Sequence, residues 1–224
     1  MNPGDRLLHL NPLRLLASLA AGALHLRDGD AEKRLLQRVS LGLLLGSLTA
    51  SLLLLGSYFY RTALEFEYVA DYSALELPLR YKLAGVWAGR DGTLLIWCWA
   101  AVLALNWELW RGAMADGAGG ARRRGDAHQH RVFVLFASGI LLALAAIQLA
   151  INPFTLSDPL PTAGRGLNPR LQSPWRTCHP PIVFTAYGFA VPLYAAGLAA
   201  LVARGDAWLD VGRRWARWFW LLTA

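Results

Sequence analysis

Cysteine is scarce in this sequence: among 224 residues only Cys98 and Cys178 carry a thiol, and neither CxxC nor CxxCH occurs. These absences exclude a thioredoxin-like redox enzyme and a c-type cytochrome, because both need closely spaced cysteine pairs. We expect two unpaired thiols, since nothing in the sequence supports a disulfide between them.

Charge is nearly absent from four long stretches. The chain is 55% apolar with a mean hydropathy of +0.33, which is too apolar for an ordinary soluble domain of this length. The four apolar runs are Val39–Tyr60, Thr93–Trp110, Val132–Ile151 and Pro181–Ala203. Each has about 18–23 residues, enough to cross roughly 30 Å of hydrocarbon as a helix.

Two weaker apolar segments flank these four. Leu10–Leu26 is interrupted by Pro12, Arg14 and His25, and we assign it as a first spanning helix. A signal peptide is the alternative, although a typical small-residue cleavage site is not evident. Trp215–Ala224 opens like a further helix and then stops, as if the chain were cut inside a membrane segment. The predicted fold is all-α, a polytopic membrane helix bundle with about five complete transmembrane helices and the start of a sixth.

The net charge of +7 has a topological explanation. The loops at 27–38, 111–131 and 204–217 hold 13 Lys or Arg in 47 residues, whereas those at 61–92 and 152–180 hold 7 in 61. Alternate loops are therefore basic, as expected when basic loops stay in the cytoplasm. This predicts an inner-membrane protein with loops 61–92 and 152–180 on the periplasmic side. Nucleic acid is not a predicted partner, because the basic residues do not interleave with aromatics on one surface.

The loops 61–92 and 111–131 contain few residues that could bind a ligand or a metal ion. Residues 61–92 hold two short amphipathic pieces joined at Pro78, in which Tyr68, Val69 and Tyr72 are predicted to face lipid. The loop 111–131 is predicted to be flexible. Its His128 and His130 lack metal-ligand partners, so solvated side chains are the expected interpretation.

A histidine stands where the last polar loop becomes a membrane helix, in the sequence Cys178-His179-Pro180-Pro181. Proline suits the first helical turn, so the helix is predicted to start at Pro180 or Pro181 with His179 at or just before its cap. The positive end of the helix favours neutral imidazole, the form that binds metal. The alternative for His179 is a cap residue bonded to nearby backbone.

A set of short motifs follows in order from about Val39 onward. They are Tyr68-Val69-Ala70, Leu77-Pro78, Tyr81-Lys82, Trp87, Gly89, Asp91–Trp97, Asn152-Pro153-Phe154, Gly166-Leu167-Asn168-Pro169, Leu171-Gln172, Pro174 and His179-Pro180-Pro181. In order and spacing, this set resembles the CcmF/NrfE-type subunit of the bacterial cytochrome c haem lyase. Trp87, Gly89 and Asp91–Trp97 resemble its W…EGSLLLW signature, with Asp91 for the usual glutamate and Thr93 for the usual serine.

The resemblance implies a role in joining haem b, a transient substrate, to CxxCH apocytochromes outside the membrane. It implies His179 as an axial ligand to the haem iron, with Trp87 and Trp97 shaping the haem surface. Arg165, Arg170 and Asp158 become candidates for positioning haem propionates or a partner. Implied partners are membrane lipid, a haem-delivery chaperone, thiol-handling assembly subunits and apocytochrome c.

One departure from the family limits this assignment. The family's tryptophan-rich haem-handling motif, of WGxWWxWD type, and its second periplasmic histidine have no counterpart here. We therefore expect an N-terminal fragment or one half of a split subunit, inactive without the missing C-terminal half. Residues 1–38 form a tail, first helix and cytoplasmic loop, and residues 39–224 the N-terminal part of the truncated assembly domain. The alternatives are a structural membrane subunit that docks assembly partners without haem, and a transporter fragment.

Overall fold

Helices dominate the structure, a computed structural model that describes residues 2–11, 31–117, 124–204, 206 and 208–224. Residues 3–11 form a short N-terminal helical segment. The longer chain segments form helices α1 (Ala31–Arg61), α2 (Glu67–Tyr72), α3 (Leu79–Ala84), α4 (Arg90–Gly117), α5 (Arg124–Ala150), α6 (Pro174–Ala203) and α7 (Trp208–Thr223). Two 3-10 turns, Gly85–Trp87 and Pro169–Leu171, complete the described elements. The only extended pairing in this part of the chain is one antiparallel bridge between Phe66 and Leu156, which confirms the all-α prediction.

Within the described residues, four helices are long and apolar enough to cross a membrane, and they contain the four predicted apolar runs apart from one residue, Ile151. The spans are Leu35–Arg61, Arg90–Gly112, His128–Ala150 and Pro174–Ala203. The predicted helix at Leu10–Leu26 lies mostly outside the described residues, since 12–30 are not described. The predicted segment Trp215–Ala224 lies in α7 up to Thr223, and this helix begins earlier than predicted, at Trp208.

The inner loop between the second and third spans is shorter than predicted. Helix α4 continues to Gly117 and α5 begins at Arg124, so helices occupy most of the interval 111–131. His128 and His130 therefore lie on α5, not in a flexible loop. His128 is exposed, and the His130 ring stacks 5.9 Å from that of Phe133. Arginine and alanine are good helix formers, which explains why the helices extend past the apolar runs.

The spanning helices pack through apolar side chains and close backbone contacts. Phe59, Leu95, Leu105 and Leu141 are fully buried in one continuous cluster. Helices α4 and α6 approach so closely at Gly188 that a side chain there would lie 2.5 Å from the Ala100 methyl group. Small residues permit such contacts where lipid gives helices no hydrophobic reason to associate.

Candidate functional site

Two connections fold together over the outer end of the bundle, the end assigned to the periplasm. Backbone N–H groups of Arg165 and Gly166 donate to the Ala70 and Ser73 carbonyls at 2.7 and 3.0 Å. Glu67 likewise donates to the Thr155 carbonyl at 3.0 Å. The connection 152–173 therefore covers α2 and places the start of α6 beside α3 and the first 3-10 turn.

Tyr68 is the central residue beneath this cover. Its hydroxyl accepts hydrogen bonds from the Gly89 and Gly92 backbone N–H groups, at 3.0 and 3.3 Å. It also lies 3.2 Å from the Val86 carbonyl oxygen, to which it can donate. Burial raises the pKa of Tyr68 above its ordinary value, so the phenol stays neutral. The same hydroxyl thus ties α2 to the first turn of α4.

The prediction that Tyr68 and Val69 face lipid is wrong. Both side chains are buried inside the protein, and Tyr72 packs against the same core with its ring 5.0 Å from that of Tyr68. The sequence indicated one apolar face on α2, and that face is buried against protein instead of lipid. The connection 152–173 pairs with α2 through backbone hydrogen bonds, and the Tyr68 hydroxyl accepts from the first turn of α4.

The glycines of the Trp87–Trp97 segment explain how closely these elements meet. A side chain at Gly92 would lie 1.6 Å from the Val86 carbonyl oxygen, and one at Gly89 would overlap the Tyr72 ring at 2.7 Å. Only glycine leaves room for the 3-10 turn to pack on the start of α4.

Helix α6 begins at Pro174, six residues before Pro180, the earlier of the two predicted starts. Ser173 is the N-cap, its hydroxyl accepts from the Arg176 N–H at 3.4 Å, and Pro174 occupies the first helical position. Pro180 and Pro181 are inside the helix. His179 is consequently neither a cap residue nor within the first turn, where the positive end of a helix acts.

Pro181 creates an acceptor that Trp87 uses. A proline has no N–H, so residue 181 cannot donate to the carbonyl four residues earlier, that of Thr177. The Trp87 indole Nε1 donates to this Thr177 oxygen at 2.8 Å. Trp87 is thereby fixed to α6 two residues before His179, a connection that sequence reasoning missed. The signal in the sequence was the i to i−4 relation between Pro181 and Thr177.

His179 itself is exposed, and no hydrogen bond or ion pair joins it to another described residue. The neighbours on its helix face, four residues before and three after, are Trp175 and Ile182. Trp175 is 86% exposed and Ile182 44% exposed. An accessible imidazole therefore stands between two exposed apolar side chains. Such a surface suits a flat, partly apolar ligand that offers a metal atom to the ring nitrogen.

Arg170, Arg165 and Asp158 were also predicted to belong to the site, and they differ in their contacts. Arg170 is exposed, and its carbonyl accepts from Arg176 Nη1 at 3.0 Å. Arg165 forms an ion pair with Asp71 at 2.9 Å. Asp158 is exposed, with no ion pair to another described residue.

Trp97 lies deeper, within the second span. Its ring is 6.0 Å from that of Tyr187, and its buried Nε1 has no hydrogen-bond partner among the described residues. The structure thus brings Trp87 and Arg170 to the outer part of α6, while Arg165 is held at α2.

Cys98 is buried and Cys178 exposed, and both are free thiols as predicted. Among the described residues, no group of three or more His, Cys, Asp or Glu is placed to hold a metal ion. A metal at His179 would therefore need its other ligands from elsewhere, as the iron of haem has from its porphyrin.

Comparison with known proteins gives a consistent result. No family model matches the chain. It is 34% identical over 166 residues to the cytochrome c-type biogenesis protein NrfE of Haemophilus influenzae, covering 71% of this chain and 24% of that protein. It is 31% identical over 196 residues to the cytochrome c-type biogenesis protein CcmF of Escherichia coli, covering 86% of this chain and 29% of that protein.

A solved structure shares the fold. The cytochrome c haem lyase CcmF superposes with a TM-score of 0.76 at 19% sequence identity, covering 99% of this chain and 34% of that one. The chain thus spans about a third or less of the length of each of these three proteins. These findings confirm that the chain resembles, in sequence and in fold, a part of the CcmF/NrfE-type cytochrome c biogenesis proteins.

Proposed function

We propose that this chain takes part in cytochrome c maturation, holding haem b as a substrate outside the membrane while it is joined to a CxxCH apocytochrome. His179 would supply one axial ligand to the iron. The observation that carries this proposal is the exposed imidazole between Trp175 and Ile182 on the outer part of α6.

The geometry supports a holding role more than a chemical one. The vinyl groups that react belong to haem, and the protein has to bind and orient the porphyrin. The Trp87 bond to Thr177 stiffens α6 beside His179. Arg170 and Arg176 lie at the same end and can attract the propionates, because guanidinium groups pair well with carboxylates.

The proposed partners follow from the same assignment. Apocytochrome c would approach from the periplasm, where the thiols must meet the vinyl groups. A haem-delivery chaperone, thiol-handling assembly subunits and further polypeptide equivalent to the rest of the longer relatives would complete the assembly. We propose that a second axial ligand comes from that further polypeptide, so residues 1–224 alone should not mature cytochromes.

The test is His179→Ala in the complete assembly. We expect loss of covalent haem on gel staining with normal membrane insertion, because an exposed side chain adds little to folding. Added imidazole should restore part of the activity by occupying the vacated coordination position. His128→Ala is the matched control, since His128 lies on α5 at the opposite end of the bundle.

The outcome that would contradict the proposal is normal staining and an unchanged haem absorption spectrum in His179→Ala. That result would favour the other candidate, a structural subunit that docks assembly partners without touching haem.

A further inference from the structure

Helix α7 is held firmly against α6 and α4 at the inner end of the bundle. The Trp215 ring lies 5.1 Å from that of Phe189, and Gly212 faces Leu193. These contacts show that α7 runs antiparallel to α6. The position of α7 is therefore set by these buried contacts with α6.

A buried carboxylate fixes α7 to α4 as well. Glu108 is 5% exposed, and its Oε1 accepts from Arg214 Nη1 at 2.5 Å and from Trp215 Nε1 at 2.7 Å. Arg214 Nη2 also donates to the Asp210 carbonyl at 3.4 Å. The charge of Arg214 is thus committed to Glu108, which explains how an acidic residue is tolerated inside the second span.

A groove of about 650 Å³ opens beside this ion pair. Its lining includes Arg111, Arg213 and Arg217, with Asp210 as the single carboxylate, and Trp218 and Leu221 form its apolar part. No hydrogen bond or ion pair joins these three arginines to any other residue that the structure describes. Arg111 also lies close enough to Glu108 to interact with it electrostatically. When Arg214 and Glu108 are counted with the lining residues, four guanidinium groups against two carboxylates still leave an excess of positive charge.

The groove lies at the level of the membrane surface. Trp107 and Trp110, one turn or less before Arg111 on α4, are both exposed and their rings are 5.3 Å apart. Exposed tryptophans on a spanning helix mark the boundary between hydrocarbon and water. Trp218 and Leu221 continue from the arginines along α7 and are also exposed. The groove therefore offers cations toward the headgroups and apolar surface toward the acyl chains.

We propose that this groove binds the phosphate headgroup of an anionic phospholipid of the cytoplasmic leaflet. Arg111, Arg213 and Arg217 donate to the phosphate oxygens, while an acyl chain lies along Trp218 and Leu221. Arginine suits this role because its planar donors pair with phosphate in a bidentate manner. Basic pockets between helices on the cytoplasmic side are the usual sites for anionic headgroups.

Native mass spectrometry of the full chain in detergent tests the proposal. Titration with dioleoylphosphatidylglycerol should give a first bound lipid at a concentration well below that needed for dioleoylphosphatidylcholine. Arg213→Gln/Arg217→Gln should weaken phosphatidylglycerol binding by roughly tenfold or more, since each basic residue near an anionic surface contributes about 1 kcal/mol. Arg38→Gln/Arg204→Gln is the matched control, because it removes equal charge from the same end without lining the groove.

Three results would overturn the proposal. One is equal binding of the two lipids by the unaltered chain, a comparison that requires no variant to fold. Another is equal weakening by both double variants, which would indicate general charge attraction. The third is binding of inorganic phosphate as tightly as phosphatidylglycerol, which would assign the groove to a free anion instead of a lipid.

Discussion

The Tyr68 hydroxyl joins α2 to backbone groups of the first 3-10 turn and of the approach to α4. Gly89 and Gly92 donate to it from the approach to α4. Removing a buried acceptor leaves those N–H groups without a partner, which costs more than the bond itself contributes.

Tyr68→Phe should therefore lower the free energy of unfolding by about 1–3 kcal/mol. Thermal unfolding of the purified protein in detergent, followed by circular dichroism, measures this change. Tyr60→Phe is the control, because Tyr60 is 62% exposed and forms no side-chain hydrogen bond with the described residues.

A pH dependence follows from the same residue. Because the folded-state pKa of Tyr68 is raised by burial, its stabilising contribution is present below the ordinary tyrosine pKa of about 10 and is lost above it. The unaltered chain should thus lose more stability between about pH 9 and 11 than Tyr68→Phe. An identical alkaline slope in both proteins would show that Tyr68 ionises as freely when folded as when unfolded.

At the scale of elements, the Trp87 bond to Thr177 couples the first 3-10 turn to α6. Trp87→Phe keeps an aromatic ring but removes the indole N–H that donates to the Thr177 carbonyl. Helix α6 should therefore be less ordered near His179. Pro181→Ala should have a related effect, because the new N–H can donate to the Thr177 carbonyl and compete with Trp87.

Hydrogen exchange of the amides at residues 175–179 measures this coupling. We expect faster exchange in Trp87→Phe, with no change in Trp110→Phe, whose exposed ring lies at the inner end. Unchanged exchange in both variants would mean that packing alone orders this part of α6.

Existence of the four spanning helices was predictable from composition, whereas their ends were not. A helix in lipid must be long and apolar, so Val39–Tyr60 and the three similar runs identify themselves. The sequence offers two possible starts for α6, at Ser173-Pro174 and at His179-Pro180-Pro181. The helix starts at the first of them because Ser173 caps it, and because Trp87 donates to the Thr177 carbonyl in place of the N–H that Pro181 lacks.

The candidate site was only partly predictable, because some of its contacts join residues that are distant in sequence. His179 was identifiable as a candidate from the residues around it, and in the structure its side chain is exposed. The burial of Tyr68 was not predictable, because it depends on tertiary contacts with the Phe59 ring and the backbone of residues 86–92. The connection 152–173, more than 80 residues away along the chain, pairs with the same helix through Glu67, Ala70 and Ser73. Such long-range pairing leaves no periodic pattern in the sequence.

At the scale of the whole molecule, the distribution of arginines predicts that Cys178 faces the periplasm. The native thiols provide the reporter, since Cys178 is exposed and Cys98 is buried. In a Cys98→Ala background, Cys178 should react with a membrane-impermeant maleimide on intact cells. A cysteine at exposed Asp206, in a background lacking both native thiols, should react only after the inner membrane is permeabilised. The reverse pattern would invert the topology and remove His179 from the periplasmic side.

Helix α6 has 30 residues and is therefore about 45 Å long, whereas the hydrocarbon layer is about 30 Å thick. About 15 Å of helix stands clear of the hydrocarbon if the helix is perpendicular to the membrane and its inner end stays at the opposite boundary. His179, the sixth residue of this helix, then sits among the lipid headgroups, roughly 6 Å above the acyl chains. A porphyrin bound there would lie with one edge in the bilayer and the other in water. Under the proposed function, haem would reach His179 by lateral diffusion within the leaflet, while a soluble apocytochrome would approach the same molecule from above.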